Sequence, residues 1–132
     1  MTHDGISATV ERVLTAFNVG DLDVVASVFA LDSAVEVGPE FSMTGPSGAL
    51  QVIAYFSQFY EHRFQRWRVF SHGGEAVVEA QMVCKYISTY PGHIEAQGQE
   101  IIVPAAFFVT FKDGLVSQVS CVVSSFDWAF AV

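Results

Sequence analysis

The sequence predicts an α+β domain, with helices first and a curved, mostly antiparallel sheet folding over them. Three observations lead there. Apolar residues near the start recur at helical spacing. From Phe64 onward the period becomes two, with β-branched and aromatic residues alternating with polar ones. Three turn signals, His72-Gly73-Gly74, Tyr90-Pro91-Gly92 and Lys112-Asp113-Gly114, separate the strand-like runs and make neighbours antiparallel.

Ile6, Val10, Val13, Leu14 and Phe17 follow the i, i+3, i+4 rule and give an amphipathic helix over 5–19. Gly20 then Asp21 makes a stop and a restart: glycine allows a left-handed helix end, and the carboxylate caps a second helix with Leu22, Val25, Ala26 and Phe29 on one face. Residues 34–37 read as a short strand. Thr44-Gly45-Pro46 starts a third helix running to about Glu61. Its broad apolar arc of Leu50, Val52, Ile53, Tyr55, Phe56 and Phe59 requires neighbours on several sides.

Strands follow over about 64–71, 76–89, 95–111 and 115–126. In the second of these, Val78, Ala80, Met82, Cys84 and Tyr86 share one face, while Glu79, Gln81 and Lys85 take the other, with Val83 among them. Two of the runs exceed the usual strand length of roughly 5–6 residues, and long antiparallel strands bend through bulges. No repeat, linker or low-complexity tract interrupts residues 1–132, which read as one domain.

Hydrophobic residues make up 52% of the 132, including twelve Phe, which excludes disorder and supports one real core. Six basic residues against fourteen acids give a net charge of −8, which argues against nucleic acid or an anionic membrane as partner. No apolar run is long enough to span a bilayer. MTHDGISATVERV lacks the basic-then-apolar pattern of a signal peptide, so the expected compartment is the cytoplasm. In the basic cluster HRFQRWR at 62–68, Arg66 and Arg68 share one strand face and Trp67 takes the other, as a solvated outer face or a subunit contact. The apolar tail SSFDWAFAV is expected to dock Trp128 and Phe130 on the helices or on a second subunit.

FNVGDLDVVASVFALDSAVEV resembles the helix–helix–strand opening of the nuclear transport factor 2-like superfamily. That group includes ketosteroid isomerase, SnoaL-like polyketide cyclases, limonene epoxide hydrolase and scytalone dehydratase. TGPSGALQVIAYF and VPAAFFVTFKDGLVSQV extend the likeness over nearly the whole chain. The resemblance implies a cone, in which a curled sheet is closed on its concave side by three helices around a pocket. It also implies a homodimer formed through outer sheet faces.

The family's functional positions transfer one at a time. The isomerase's general-base Asp corresponds to Val37, its oxyanion-hole Tyr to Val13, and its second acid to Phe107. An acid on the last strand of related hydrolases and cyclases corresponds to Cys121. Each carboxylate of that machinery is absent. General acid–base catalysis needs a titratable group within hydrogen-bond reach, and these positions supply none. An isolated buried carboxylate is costly, so a protein that had abandoned such chemistry would gain by losing it.

The polar candidates that remain are few. Tyr55, on the third helix, is an acid or a hydrogen-bond anchor if its hydroxyl projects into the cone, and otherwise a packing aromatic. Tyr86 is expected near the mouth. Cys84 and Cys121 face inward with one strand between them, a separation of ~9–10 Å that forbids a disulfide. No cation is evident nearby to activate either thiol. His3, His62, His72 and His93 read as terminal, helix-end or turn histidines, with His93 on a turn that could overhang the pocket. Glu36 and Glu40 flank its rim. No metal-ligand spacing occurs, so neither a metal nor an organic cofactor is expected.

The expected pocket wall comprises Val13, Phe17, Val37, Tyr55, Phe59, Met82, Cys84, Tyr86, Phe107, Val109, Cys121 and Val123. Three functions fit. One is a SnoaL-like isomerase, cyclase or dehydratase acting on a fused-ring or polyketide-like molecule. Another is a binding protein for an apolar small molecule, without turnover. The last is a dimeric association module whose cone is filled by side chains. Cavity volume separates the last from the others.

Overall fold

The computed structural model describes residues 1–39 and 41–123. Thr2 caps the first helix, α1 (His3–Asn18), its hydroxyl accepting from the Gly5 amide at 3.1 Å. Ile6, Val10 and Leu14 form its buried stripe. After the left-handed Gly20, Asp21 caps α2 (Leu22–Ser27) through the Val24 amide at 3.3 Å. Then come β1 (Phe29–Val37), β2 (Phe41–Thr44) and α3 (Gly45–Ser57). The strands β3 (Tyr60–His72), β4 (Glu75–Tyr86), β5 (Glu100–Lys112) and β6 (Leu115–Val123) complete the domain.

The six strands form one sheet in the order β2-β1-β6-β5-β4-β3. All pairings are antiparallel except β1 with β6. The sheet curls without closing, and the three helices cover its concave side. Register breaks bend it: one in β3 between Gln65 and Arg68, where Arg66 takes a positive φ of 52°, and one at Thr110/Phe111. Beside the β3 break, the Asn18 side chain exchanges two hydrogen bonds with the Phe64 backbone, both 2.8 Å. The end of α1 thereby satisfies one residue of the edge strand β3. Gly45 is required at the start of α3, because φ is +74° and an added Cβ would sit 2.6 Å from the Leu31 carbonyl oxygen.

Several sequence-based boundaries change, each because tertiary pairing overrides local spacing. Phe29 belongs to β1, not to the second helix; it pairs with Val116, and the Val116 amide donates to Val28 at 2.8 Å. The first strand therefore starts well before residue 34. β2 was not anticipated; it folds back on β1 past Gly38, with Val37 opposite Phe41. α3 ends at Ser57 rather than near Glu61, because Tyr60, Glu61 and His62 pair with Tyr86, Lys85 and Cys84. β4 stops at Tyr86 and β5 begins at Glu100, so 87–99 is a connection and not strand.

Arg68 meets Glu79 at 2.5 Å, but both side chains are exposed, so the pair adds little stability. Trp67 lies half-buried on the other face and donates to Glu11 at 2.9 Å. The expectations for Glu40, for strand beyond Val123, and for docking of Trp128 and Phe130 fall outside the described residues. Among the described residues, no helix is long and apolar enough to cross a membrane.

Candidate functional site

Between the concave sheet face and the helices lies a cavity of about 880 Å³. The cone is therefore not filled by its own side chains. Strand parity and helix period determine what lines it. On β4, Val78, Met82 and Tyr86 point inward. On α1, Val10, Val13, Leu14 and Phe17 do so, and on α3, Ala49, Val52, Ile53 and Phe56.

Of the residues expected at the wall, Val13, Phe17, Val37, Met82, Tyr86, Phe107, Val109, Cys121 and Val123 line this cavity. Tyr55, Phe59 and Cys84 do not. Tyr55 lies off the inward arc of α3 and lines a separate hollow of about 340 Å³ beside Phe41, Met43 and Gln58. Its hydroxyl meets that of Tyr90 at 2.9 Å instead of projecting into the cone. Phe59 sits past the end of α3, its ring packed against Tyr55, Tyr60 and Tyr90. Cys84 is fully buried within the wall, with its thiol 3.8 Å from the Met82 carbonyl.

Cys84 and Cys121 are free thiols, with β5 between their strands. Burial pushes both up to about 12, so at neutral pH they are thiols and not nucleophilic thiolates. Val13, Val37, Phe107 and Cys121, which the sequence resemblance matches to the family's acid and oxyanion positions, all face the cavity.

Sequence reasoning missed the cavity's polar side. His62 is not a helix-end histidine. It lies on β3 between Tyr60 and Phe64, and all three line the cavity. Burial lowers its imidazole from 6.5 to about 4, so the ring is neutral at neutral pH. The lumen is thus not free of ionisable side chains, as the four family positions alone suggested. The signal was present: Tyr60-x-His62-x-Phe64 extends the inward parity of Phe64 by two pleats.

Above His62, the Tyr60 and Tyr86 rings stack at 5.2 Å. Burial, followed by the neighbouring Tyr86, Tyr90, Cys84 and Tyr55, pushes the Tyr60 phenol up to about 12. The Tyr86 hydroxyl ties down the 87–99 connection, accepting from the Tyr90 amide and donating to the Ile94 carbonyl, each at 2.7 Å. This holds Tyr90, His93 and Ile94 over the mouth, with His93 exposed and its ring 4.9 Å from that of Tyr90. Glu36 reaches the cavity from β1 and is half-buried. Among the described residues, no cluster of His, Cys, Asp or Glu is arranged to hold a metal ion.

A curled sheet, three helices on its concave side and a cavity between them define the cone of the nuclear transport factor 2-like class. Within it, the family model for the SnoaL-like domain matches residues 10–119, and the chain belongs to that family. Among solved structures it is similar to a protein from Silicibacter sp. tm1040 provisionally described as a polyketide cyclase. The identity is 26%, 100% of this chain and 98% of that one are covered, and the TM-score is 0.89.

Another protein so described, from Xanthomonas campestris pv. campestris, is 21% identical over 98% of each chain with a TM-score of 0.91. A third, from Pseudomonas putida KT2440, is 21% identical over 94% of this chain and 95% of that one, with a TM-score of 0.85. At those identities the last two establish the shared fold alone. No curated protein matches the chain.

Proposed function

We propose that this chain holds a small hydrophobic ring compound of the steroid, terpenoid or polyketide type in its cone, and that shape and water exclusion rather than a carboxylate govern its fate there. The observation that carries this reading is a cavity of about 880 Å³ lined largely by apolar side chains, with Val37, Phe107 and Cys121 at the positions that the resemblance matches to the family's acids. That volume lies within the range of about 300–1,000 Å³ usual for ligand sites. A ligand burying ~300 Å² of apolar surface would gain up to about 7 kcal/mol before association costs. The likeness to proteins described as polyketide cyclases supports isomerisation, cyclisation or dehydration as the reaction class. The apolar residues at those three positions favour a second reading, binding without turnover.

The outer sheet face carries Phe70, Ile102, Phe108 and Val122, each more than half exposed. This apolar row supports a homodimer built through that face, since exposed apolar patches of this kind mark association surfaces.

Native mass spectrometry of protein purified from its own host tests the main reading. A retained small-molecule mass is expected, and incubation of the identified compound with fresh protein then distinguishes turnover from storage. Protein that carries nothing, and binds no steroid, terpenoid or polyketide supplied to it, would sink the proposal.

A further inference from the structure

The inner face of β3 and β4 is a ladder of opposed pairs. Tyr60 faces Tyr86 at the mouth, His62 faces Cys84 one pleat in, and Phe64 faces Met82 one pleat further. Each pleat advances ~6.6–6.8 Å, about the width of one or two fused rings. Beside Phe64 stand Phe17 and Phe107, with ring centroids 5.0 and 5.4 Å away. An aromatic nest thus lies one pleat below an imidazole.

Most other polar groups at the cavity are committed within the protein. The Thr9 hydroxyl donates to the Gly5 carbonyl at 3.0 Å. The Tyr86 hydroxyl both donates and accepts in holding the 87–99 connection. The Tyr90 hydroxyl meets that of Tyr55. The Cys121 thiol is a weak donor. Glu36 and His93 approach from β1 and from the connection over the mouth. His62 differs from all of these. It sits on the inner wall, and among the described residues its contact is with the Tyr60 ring, at 5.5 Å, with no hydrogen bond to either ring nitrogen. His62 is half-buried at the cavity wall, and its neutral imidazole offers one donor and one acceptor to whatever occupies the cavity.

We propose that His62 is the specificity-determining residue of the cone, hydrogen-bonding a hydroxyl or carbonyl oxygen of a fused-ring ligand whose apolar body lies against Phe17, Phe64, Met82 and Phe107. The inference rests on the proposed ligand-holding role of the cavity and adds the ligand's chemistry: flat, apolar, with an oxygen about one ring-width from the edge of its greasy body. The polar function that relatives place on other strands is carried here by β3.

The test compares two probes of one shape, 2-naphthol and 2-methylnaphthalene, by calorimetric titration of the full chain. In wild type, the affinity ratio of naphthol to methylnaphthalene should exceed that of His62→Phe by about five- to tenfold, as expected for one buried hydrogen bond. His62→Phe should keep its affinity for methylnaphthalene, and His62→Gln should restore most of the ratio. Nitrogen-detected NMR of wild type should show the His62 ring nitrogens shifting with 2-naphthol and not with its methyl counterpart.

An unchanged ratio, or an equal loss of both affinities, would overturn the assignment of His62 while leaving the cavity reading in place. Failure of folded wild type to bind either probe would overturn the assignment of His62 to a flat, fused-ring ligand, while the cavity reading is decided by the native mass measurement. If His62→Phe does not fold, the His62→Gln titration and the wild-type ring-nitrogen shifts decide alone: a small change in ratio with shifted nitrogens supports the assignment, and unshifted nitrogens reject it.

Discussion

The two walls of the cone differ in kind. On β1, β5 and β6 the inward residues Val37, Phe107, Val109, Val119 and Cys121 are apolar or nearly so, with Glu36 of β1 the exception at the cavity. On β3, the end of β4 and the connection after it, Tyr60, His62, Tyr86, Tyr90 and His93 gather. The first wall carries the positions that the sequence resemblance matches to the family's acids, while the second bears the imidazole and the phenols. The lumen is not uniformly greasy. Most of the polarity gathers on one side, where burial keeps the His62 imidazole neutral at neutral pH and so avoids the large cost of a buried, unpaired charge.

An acid placed on the apolar wall tests the contrast most severely. Phe107→Asp removes a ring packed at 5.4 Å on Phe64 and introduces a carboxylate with no partner on that wall. Urea unfolding should show a loss of about 3–5 kcal/mol. A loss under about 1 kcal/mol would mean that this wall is wet, and the contrast would fail.

Acid sensitivity sharpens the other side. His62 titrates near 4 in the folded chain and near 6.5 when unfolded. Between those values the unfolded chain binds more protons. The stability due to neutral His62 is therefore complete above about 6.5 and drains away as pH falls toward 4. The amount is on the order of 2 kcal/mol. Unfolding free energies measured at pH 7.5 and pH 4.5 should differ by that much more in wild type than in His62→Phe. Parallel pH profiles would place the imidazole in solvent.

The polar wall also depends on one phenol. Tyr86→Phe removes the group that accepts from the Tyr90 amide and donates to the Ile94 carbonyl. Both partners lose a part-buried bond. The expected cost is about 1–2 kcal/mol, with faster amide exchange in 87–99 and unchanged exchange in β5 and β6.

Much of this architecture was legible in the chain. The alternation of Val78, Ala80, Met82, Cys84 and Tyr86, and the Asp113-Gly114 turn, fixed which faces of β4 and β5 look inward, because side-chain direction along a strand has a strict period of two. The likeness to the cone class located Val37, Phe107 and Cys121. What escaped were the places where local apolar spacing and strand pairing disagree. Helical spacing continues through Phe56 and Phe59, yet the chain leaves α3 at Ser57 because Tyr60 and His62 find partners on β4. That boundary hid the imidazole. β2 was equally hidden, since a four-residue strand beside Gly38 has too few side chains to display a period.

Tyr55 gives the smallest effect and the finest cut between the walls. A tyrosine on the apolar arc of the third helix looked suited to reach into the cone, but a helical residue points into a cavity only if it falls on the facing third of the turn. Val52, Ile53 and Phe56 occupy that third, and Tyr55 is turned toward Phe41 and Tyr90. Tyr55→Phe removes one half-buried contact between hydroxyls, worth about 0.5 kcal/mol, and should leave affinity for 2-naphthol within about twofold. A larger fall in affinity with stability preserved would place this phenol on the ligand after all and extend the polar wall from β3 onto α3.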